Sequence, residues 1–344
     1  MRRCAVALAA VLLSSLAPPA AQAGRRATEL LQPSDAEGGA VLAVKGRRAR
    51  VSLPGGARGG FRLRRDERLL GFSQLATGWI ATGIRLSGDG VDHSLVANLG
   101  RGPRRLTVPA TRSGAVRTAP VPVIDGGRLV GLAWLEGDLH ALAVRAGRIE
   151  DGSFTAVETV SPAPPRGSQT GLTAAVLADG SWLLAWSRFD GRDDEIAWSR
   201  RRPGGGWSAP RGLTANAAPD VTPQLLARGS GALLAWSGLR QEYEVFLAGF
   251  DGTRWTEPRS LGVRGTLTPA FRRLAEADYL LVRSAWPGGW TAFRLDGEGK
   301  PSDFASVLEE SRRPPVLRSP AGRGLAFEWA HRPQPEILSW EPVP

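Results

Sequence analysis

The sequence is poor in the residues that most site chemistry needs. Its 344 residues hold one cysteine, one methionine, two tyrosines and three histidines. The one cysteine, Cys4, falls in the first 23 residues, so a chain that loses them has neither disulfide nor thiol chemistry. His93, His140 and His331 are far apart, with no spacing that a histidine metal centre would show. No phosphate-binding glycine loop, dinucleotide fingerprint or nucleophile elbow occurs, and no cofactor is expected. Helical apolar periodicity is missing throughout. No apolar run reaches the roughly eighteen residues of a membrane helix, which argues against membrane insertion.

The first residues read differently from the rest. Arg2 and Arg3 precede an apolar run from Cys4 to Ala17, and Ala21-Gln22-Ala23 offers a small-residue cleavage site. This pattern predicts a secretory signal over residues 1–23 and export to the periplasm or outside. Cys4 stands at the front rather than at the cleavage point, so lipidation is not expected. Residues 24–39, with Pro33-Ser34-Asp35 and Gly38-Gly39, read as a flexible leader before a folded region of 40–344.

Charge is plentiful but carries little information. The net charge is +11, and of 44 basic residues only Lys45 and Lys300 are lysines. The arginines are spread along the chain; Arg47, Arg48 and Arg50, then Arg62, Arg64, Arg65 and Arg68, are the densest groups. A solvated surface explains such spreading better than a polyanion site, and no nucleic-acid partner is expected.

What the chain does have is a period. Gly180–Leu213 and Gly231–Gly262 are close variants of one another. Aligning the second apolar run of each unit places Gly83, Trp134, Trp186, Trp236, Arg283 and Trp329 in register, at steps of 51, 52, 50, 47 and 46. In one unit Pro223–Ala227, Ala232–Trp236, Glu244–Phe250 and Trp255–Pro258 read as four short strands, with Asp251-Gly252 as a hairpin turn. Pro258 fits only an edge strand. Four antiparallel strands with a period near fifty predict an all-β chain, a six-bladed β-propeller. The last unit lacks a fourth strand. Val51-Ser52-Leu53-Pro54 matches the outer-strand pattern, so residues 46–54 are expected to pair with 336–342 and close the ring.

The unit D-x-x-P, then L-A-W-S, then D-E-I-x-W-S-R, then G-G-W-S-x-P resembles the bacterial sialidase-like, BNR-repeat propellers. It is carried by Asp220–Pro223, Leu233–Ser237, Asp194–Arg200 and Gly205–Pro210. The family's aspartate-box turn is not intact; Asp251-Gly252-Thr253-Arg254-Trp255 is one residue short of it. The resemblance implies a tyrosine nucleophile, a helping glutamate and an arginine triad in catalytic members. Of the two tyrosines, Tyr279 reads as core. Tyr243, between Glu242 and Glu244, is the weak catalytic candidate. Phe61-Arg62-Leu63-Arg64 has arginine where the family's arginine segment has proline and is not carried over.

The most charged turn is Arg188 to Glu195. Its four acids, Asp190, Asp193, Asp194 and Glu195, could attract calcium, but the spacing is not that of an EF-hand, and Arg188 and Arg192 compete for the carboxylates. It therefore reads as a solvated, partly ion-paired hairpin tip, and no metal is expected. The same face should present Asp220, Arg240, Trp290, His331 and Arg332. Arginine, carboxylate and exposed aromatic together suit a polar ligand such as a sugar. The expectation is an exported, non-catalytic binding module for a glycan or an envelope protein. A divergent sialidase-type hydrolase and a structural scaffold are the alternatives.

Overall fold

The computed structural model describes residues 28–33, 40–87, 90–99, 102–106, 108, 115–138, 140–150, 153–264, 268–274, 277–284, 288–309, 314–318, 324–331 and 334–343. The expected signal segment and part of the expected leader lie outside them.

Seven antiparallel sheets form the molecule. Blade one is β1 (Thr28–Leu31), β2 (Val41–Lys45), β3 (Arg48–Ser52) and β4 (Arg58–Arg62). Blade two is β5 (Glu67–Leu75), β6 (Gly78–Ser87), β7 (Gly90–Asn98) and β8 (Pro103–Arg105). Blade three is β9 (Val116–Asp125), β10 (Arg128–Asp138), β11 (Ala141–Glu150) and β12 (Ser153–Ser161). Blade four is β13 (Gln169–Val176), β14 (Trp182–Phe189), β15 (Asp194–Arg201) and β16 (Arg211–Gly212). Blade five is β17 (Asp220–Arg228), β18 (Gly231–Leu239), β19 (Tyr243–Phe250) and β20 (Arg259–Arg264). Blade six is β21 (Ala270–Leu274), β22 (Ala277–Ser284), β23 (Gly289–Leu295) and β24 (Pro301–Val307). Blade seven is β25 (Val316–Arg318), β26 (Ala326–Glu328) and β27 (Glu336–Ile337), and β28 (Glu341–Pro342) follows it.

The propeller thus has seven blades, not six, and the expected ring closure is not made. Residues 48–52 are β3, bonded to β2 and β4 inside a complete first blade. The expected partner segment splits: β27 pairs with β26, and β28 crosses to β24 of blade six. The expected leader contributes β1, whose Thr28–Leu31 pairs with Leu42–Lys45. Blade one escapes the repeat because it is short. Thr28 to Glu67 is a step of 39 residues, against 53 from Val116 to Gln169, and β2 has no tryptophan.

Inner strands contact their neighbours around the axis, β5 with β9, β9 with β13, β13 with β17, β17 with β21 and β21 with β25. Each second strand is covered on both faces, so apolar residues run without alternation; Ala232–Gly238 are all buried. Trp134, Trp186 and Trp236 are buried at equivalent positions. The W-x-x-P segments fall short of their expected strand role. Trp207 and Trp255 make single bridges to Arg201 and Phe250, and the outer strands β16 and β20 start beyond the prolines.

Six apolar clusters fill six seams between blades, from Leu42 against Trp79 at blades one and two to Leu281 against Phe327 at blades six and seven. The seventh seam is bridged differently. The Gln32 side chain donates from Nε2 to the Leu317 carbonyl at 2.9 Å and accepts the Leu317 N–H at Oε1, also 2.9 Å. A side-chain amide thereby copies one rung of a β-ladder. Arg272 of β21 donates to the same Oε1 at 3.1 Å.

Candidate functional site

The loops joining second to third strands, and those joining one blade to the next, share one face, called the upper face below. Two groups of charged side chains lie there.

The first is a cleft of about 170 Å³ over blades two and three, lined by four arginines, two carboxylates and His93. Strand register builds it. Glu67 is opposite Arg85 across β5–β6, and Arg85 is opposite Asp92 across β6–β7. These three side chains therefore lie in one row. Arg105 of β8 adds a two-toothed pair with Glu67, at 2.6 and 2.8 Å. Arg117 of β9 binds Asp92 at 3.0 Å and the Val108 carbonyl at 2.9 Å. Those two guanidinium groups are committed. Among the described residues, Arg85 and Arg64 have only looser ion pairs: they stand 3.6 Å from Asp92 and 3.8 Å from Glu67, beyond hydrogen-bond length. Arg64 is also half-exposed, while Glu67 is buried beneath it.

His93 lies at the wall of this cleft, with Nδ1 3.2 Å from Asp92. Nδ1 is nonetheless buried without a hydrogen bond. Burial lowers its pKa to about 4, against the opposing pull of Asp92, so the ring is neutral near pH 7. Four guanidinium groups then face two lining carboxylates, and with Glu136 acting on His93 from behind a surplus of positive charge remains.

The second group is the charged turn of blade four with its neighbour strand. Asp190 folds the turn, its Oδ1 accepting the Arg192 and Asp193 N–H groups at 2.7 and 3.1 Å. Asp193 and Glu195 are buried, Asp194 is half-buried and Asp190 is exposed. Asp220 of β17 is fully buried, accepting the Trp236 indole N–H at 3.0 Å and the Asn216 amide at 2.6 Å. Asn216 in turn donates its backbone N–H to Glu195 at 2.6 Å. Burial raises Asp194 to about 6 and Glu195 to about 7, with neighbouring carboxylates adding to it. The same cause raises Asp193 and Asp220. The expected solvated tip is present at Asp190 and Arg192, which are exposed, but Asp193 and Glu195 are buried and the expected ion pairing does not reach them. No ion pair among the described residues joins Arg188 or Arg192 to these acids.

The other expected residues are dispersed. Tyr243 starts β19 opposite Leu239, and Glu244 holds Ser260 at 2.9 Å and Arg264 at 3.5 Å. Glu242 is exposed in the loop. These lie in blade five, whereas the arginine cleft belongs to blades two and three. Arg240 stacks on the Phe246 ring at 4.5 Å. Trp290 does not reach the face; it is fully buried in β23 against Leu281 and Phe327. His331 is exposed, 3.3 Å from Glu309, and Arg332 lies outside the described residues. The cleft itself had no sequence signal. Arg64, Arg85, Arg105 and Arg117 are four arginines among many, united by strand register in blade two, by the connection before β5 and by the packing of blade three on blade two.

No family model and no curated protein matches the chain. Among solved structures it is similar to a puromycin-hydrolysing peptidase of Mycobacterium tuberculosis, at 15% identity and TM-score 0.52 over 88% of this chain and 50% of that one. It is similar to the hydrazine synthase of Kuenenia stuttgartiensis, at 9% identity and TM-score 0.50 over 80% of each chain. It is also similar to a six-bladed fucose-binding lectin of Aleuria aurantia, at 11% identity and TM-score 0.48 over 87% of this chain and all of that one. The chain thus spans half the length of the peptidase. At such identities the likeness shows the β-propeller fold alone.

Proposed function

We propose that this propeller is an exported, non-catalytic binding module that takes an acidic group of a glycan or envelope ligand in the cleft over blades two and three. The observation that carries it is two loosely paired guanidinium groups, Arg64 and Arg85, set above carboxylates that Arg105 and Arg117 already neutralise. An arginine fork matches a carboxylate's two oxygens, and the surplus of positive charge favours such a guest. The cleft's 170 Å³ is below the roughly 300 Å³ of a pocket that swallows a whole small molecule. It therefore suits one acidic substituent, with the rest of the ligand lying along the face. Export rests on the N-terminal pattern of residues 1–23.

The hydrolase alternative needs Tyr243 beside an arginine cluster, and Tyr243 stands in blade five, two blades beyond blade three of the cleft. The test is a binding array of uronic-acid and neutral oligosaccharides with residues 24–344. Acidic members should bind and neutral ones should not. Arg64→Ala with Arg85→Ala should weaken binding at least about tenfold, since hydrogen bonds to charged groups contribute about 1.5–3 kcal/mol each. Equal binding of acidic and neutral sugars, or no loss in the double variant, would refute the proposal.

A further inference from the structure

We infer that Asp190, Asp193 and Glu195 form a site for a divalent cation of the calcium class on the upper face of blade four. It is separate from the cleft and does not depend on what the cleft binds. One ligand oxygen from each of the three carboxylates lies within 4.8 Å of the others. The local fold explains the convergence. Asp190 closes the turn by binding the Arg192 and Asp193 N–H groups, which brings Asp193 back over it. Asp193 ends the bend just before β15 and Glu195 is the second residue of that strand, so the turn and the strand start together bring the two carboxylates to Asp190.

The independent sign of a missing partner is in the two buried members. Asp193 is 8% exposed and Glu195 is 6% exposed. Oδ1 of Asp193 and Oε2 of Glu195 are both buried with no donor at hydrogen-bond geometry; the two carboxyl groups lie close enough to interact with each other, and the Thr214 hydroxyl serves Glu195. An acceptor shut away from water without a donor costs about 1–3 kcal/mol, and more for a charged group. Two beside each other, with no arginine paired to either, call for a cation or for protons. Neighbouring acids make this worse: Asp194 on β15 and Asp220 on β17 add negative charge, and Arg192 and Arg240 offset it only at a distance.

The chemistry of the ligands selects the ion. All are carboxylate oxygens, which suits hard cations. Two calcium bonds of about 2.4 Å span the spread of the three oxygens, and calcium tolerates irregular geometry. Asp190 is exposed and leaves an entry for the ion with its remaining water ligands. Behind the site, Asn216 fixes Oε1 of Glu195 and hydrogen-bonds Asp220, so the glutamate is held with its other oxygen free.

The experiment is titration of EDTA-dialysed protein with calcium chloride at pH 8, followed by calorimetry and by thermal unfolding. Saturable binding near one ion per chain, with Kd at or below about 1 mM, and a rise in Tm are expected. Asp193→Asn with Glu195→Gln should weaken binding at least about tenfold. That variant removes buried charge, so it should unfold no earlier than the calcium-free parent, which separates lost binding from lost folding. No heat and no Tm change up to about 10 mM calcium would overturn the inference and leave shared protons as the partner. So would equal calcium binding by parent and variant.

Discussion

His93 and Glu195 are both buried and ionisable, and they push stability in opposite directions as pH changes. His93 has a folded-state pKa of about 4 against 6.5 when free. The unfolded chain therefore binds its proton first. Stability from this group is full above about pH 6.5 and is lost as pH falls towards 4. Glu195 stands at about 7 against 4.5. Its stabilising effect is full below about pH 4.5 and is lost as pH rises through 7. One proton accounts for at most about 1.4 kcal/mol per pH unit. His93→Gln should flatten the loss of Tm between pH 6.5 and 4, and Glu195→Gln should raise Tm at pH 8 in EDTA. Unchanged Tm profiles in both variants would mean that neither group is as buried as described.

Inner strands β9, β13 and β17 share a device that no single residue reveals. Each has a register shift after its first residues, and each shift contains a residue in the left-handed region: Ala119 at φ 50°, Gly171 at 59° and Thr222 at 55°. Such a bulge turns a strand and re-aims its side chains. Two residues before each lie Arg117, Gln169 and Asp220, which are respectively a cleft residue, a buried amide and the base of the acidic group. A repeated backbone feature thus presents a different side chain in each blade. Glycine occupies the position only in β13. Left-handed backbone costs an L-residue about 1–2 kcal/mol, partly offset by glycine's larger entropy loss. Ala119→Gly should therefore stabilise by about 0.5–1 kcal/mol. Gly171→Ala should destabilise by about 1–2 kcal/mol, since its Cβ would also meet Pro223 at 2.9 Å. Denaturant midpoints of the two variants, moving in opposite directions, check this.

At the scale of the whole ring, the seam between blades seven and one is the one with no apolar cluster among the described residues. The other six seams are held by apolar clusters, and this one by Gln32. Its amide satisfies both backbone groups of Leu317 and the Arg272 guanidinium, which burial has already lowered to about 10. Gln32→Ala would leave three buried polar groups short of a partner, at a cost of about 2–4 kcal/mol. Hydrogen exchange should then quicken first in β25 and β1, before the tryptophan-rich blades three to five open. Uniform acceleration across all blades would show that the seam is not a separate opening unit.

The sequence by itself determined the blade. Tryptophans 134, 186 and 236, the apolar second strands and the Asp-Gly turn are local, and a period near fifty repeats them until the pattern is unmistakable. It did not determine the number of blades, because blade one has short strands and a step of 39 residues without the tryptophan marker. It named the acidic turn but misjudged its pairing, since whether Arg188 reaches Asp193 depends on rotamers and on burial by the neighbouring strand. The arginine cleft was decided by tertiary structure alone. Arg64, Arg85, Arg105 and Arg117 become neighbours only when blade two sets its strand register and blade three packs against it. Gln32 has meaning only beside a residue 285 positions away. Packing periodicity is a local property of the chain, whereas charge pairing and ring closure depend on contacts between distant residues, which only the folded molecule brings together.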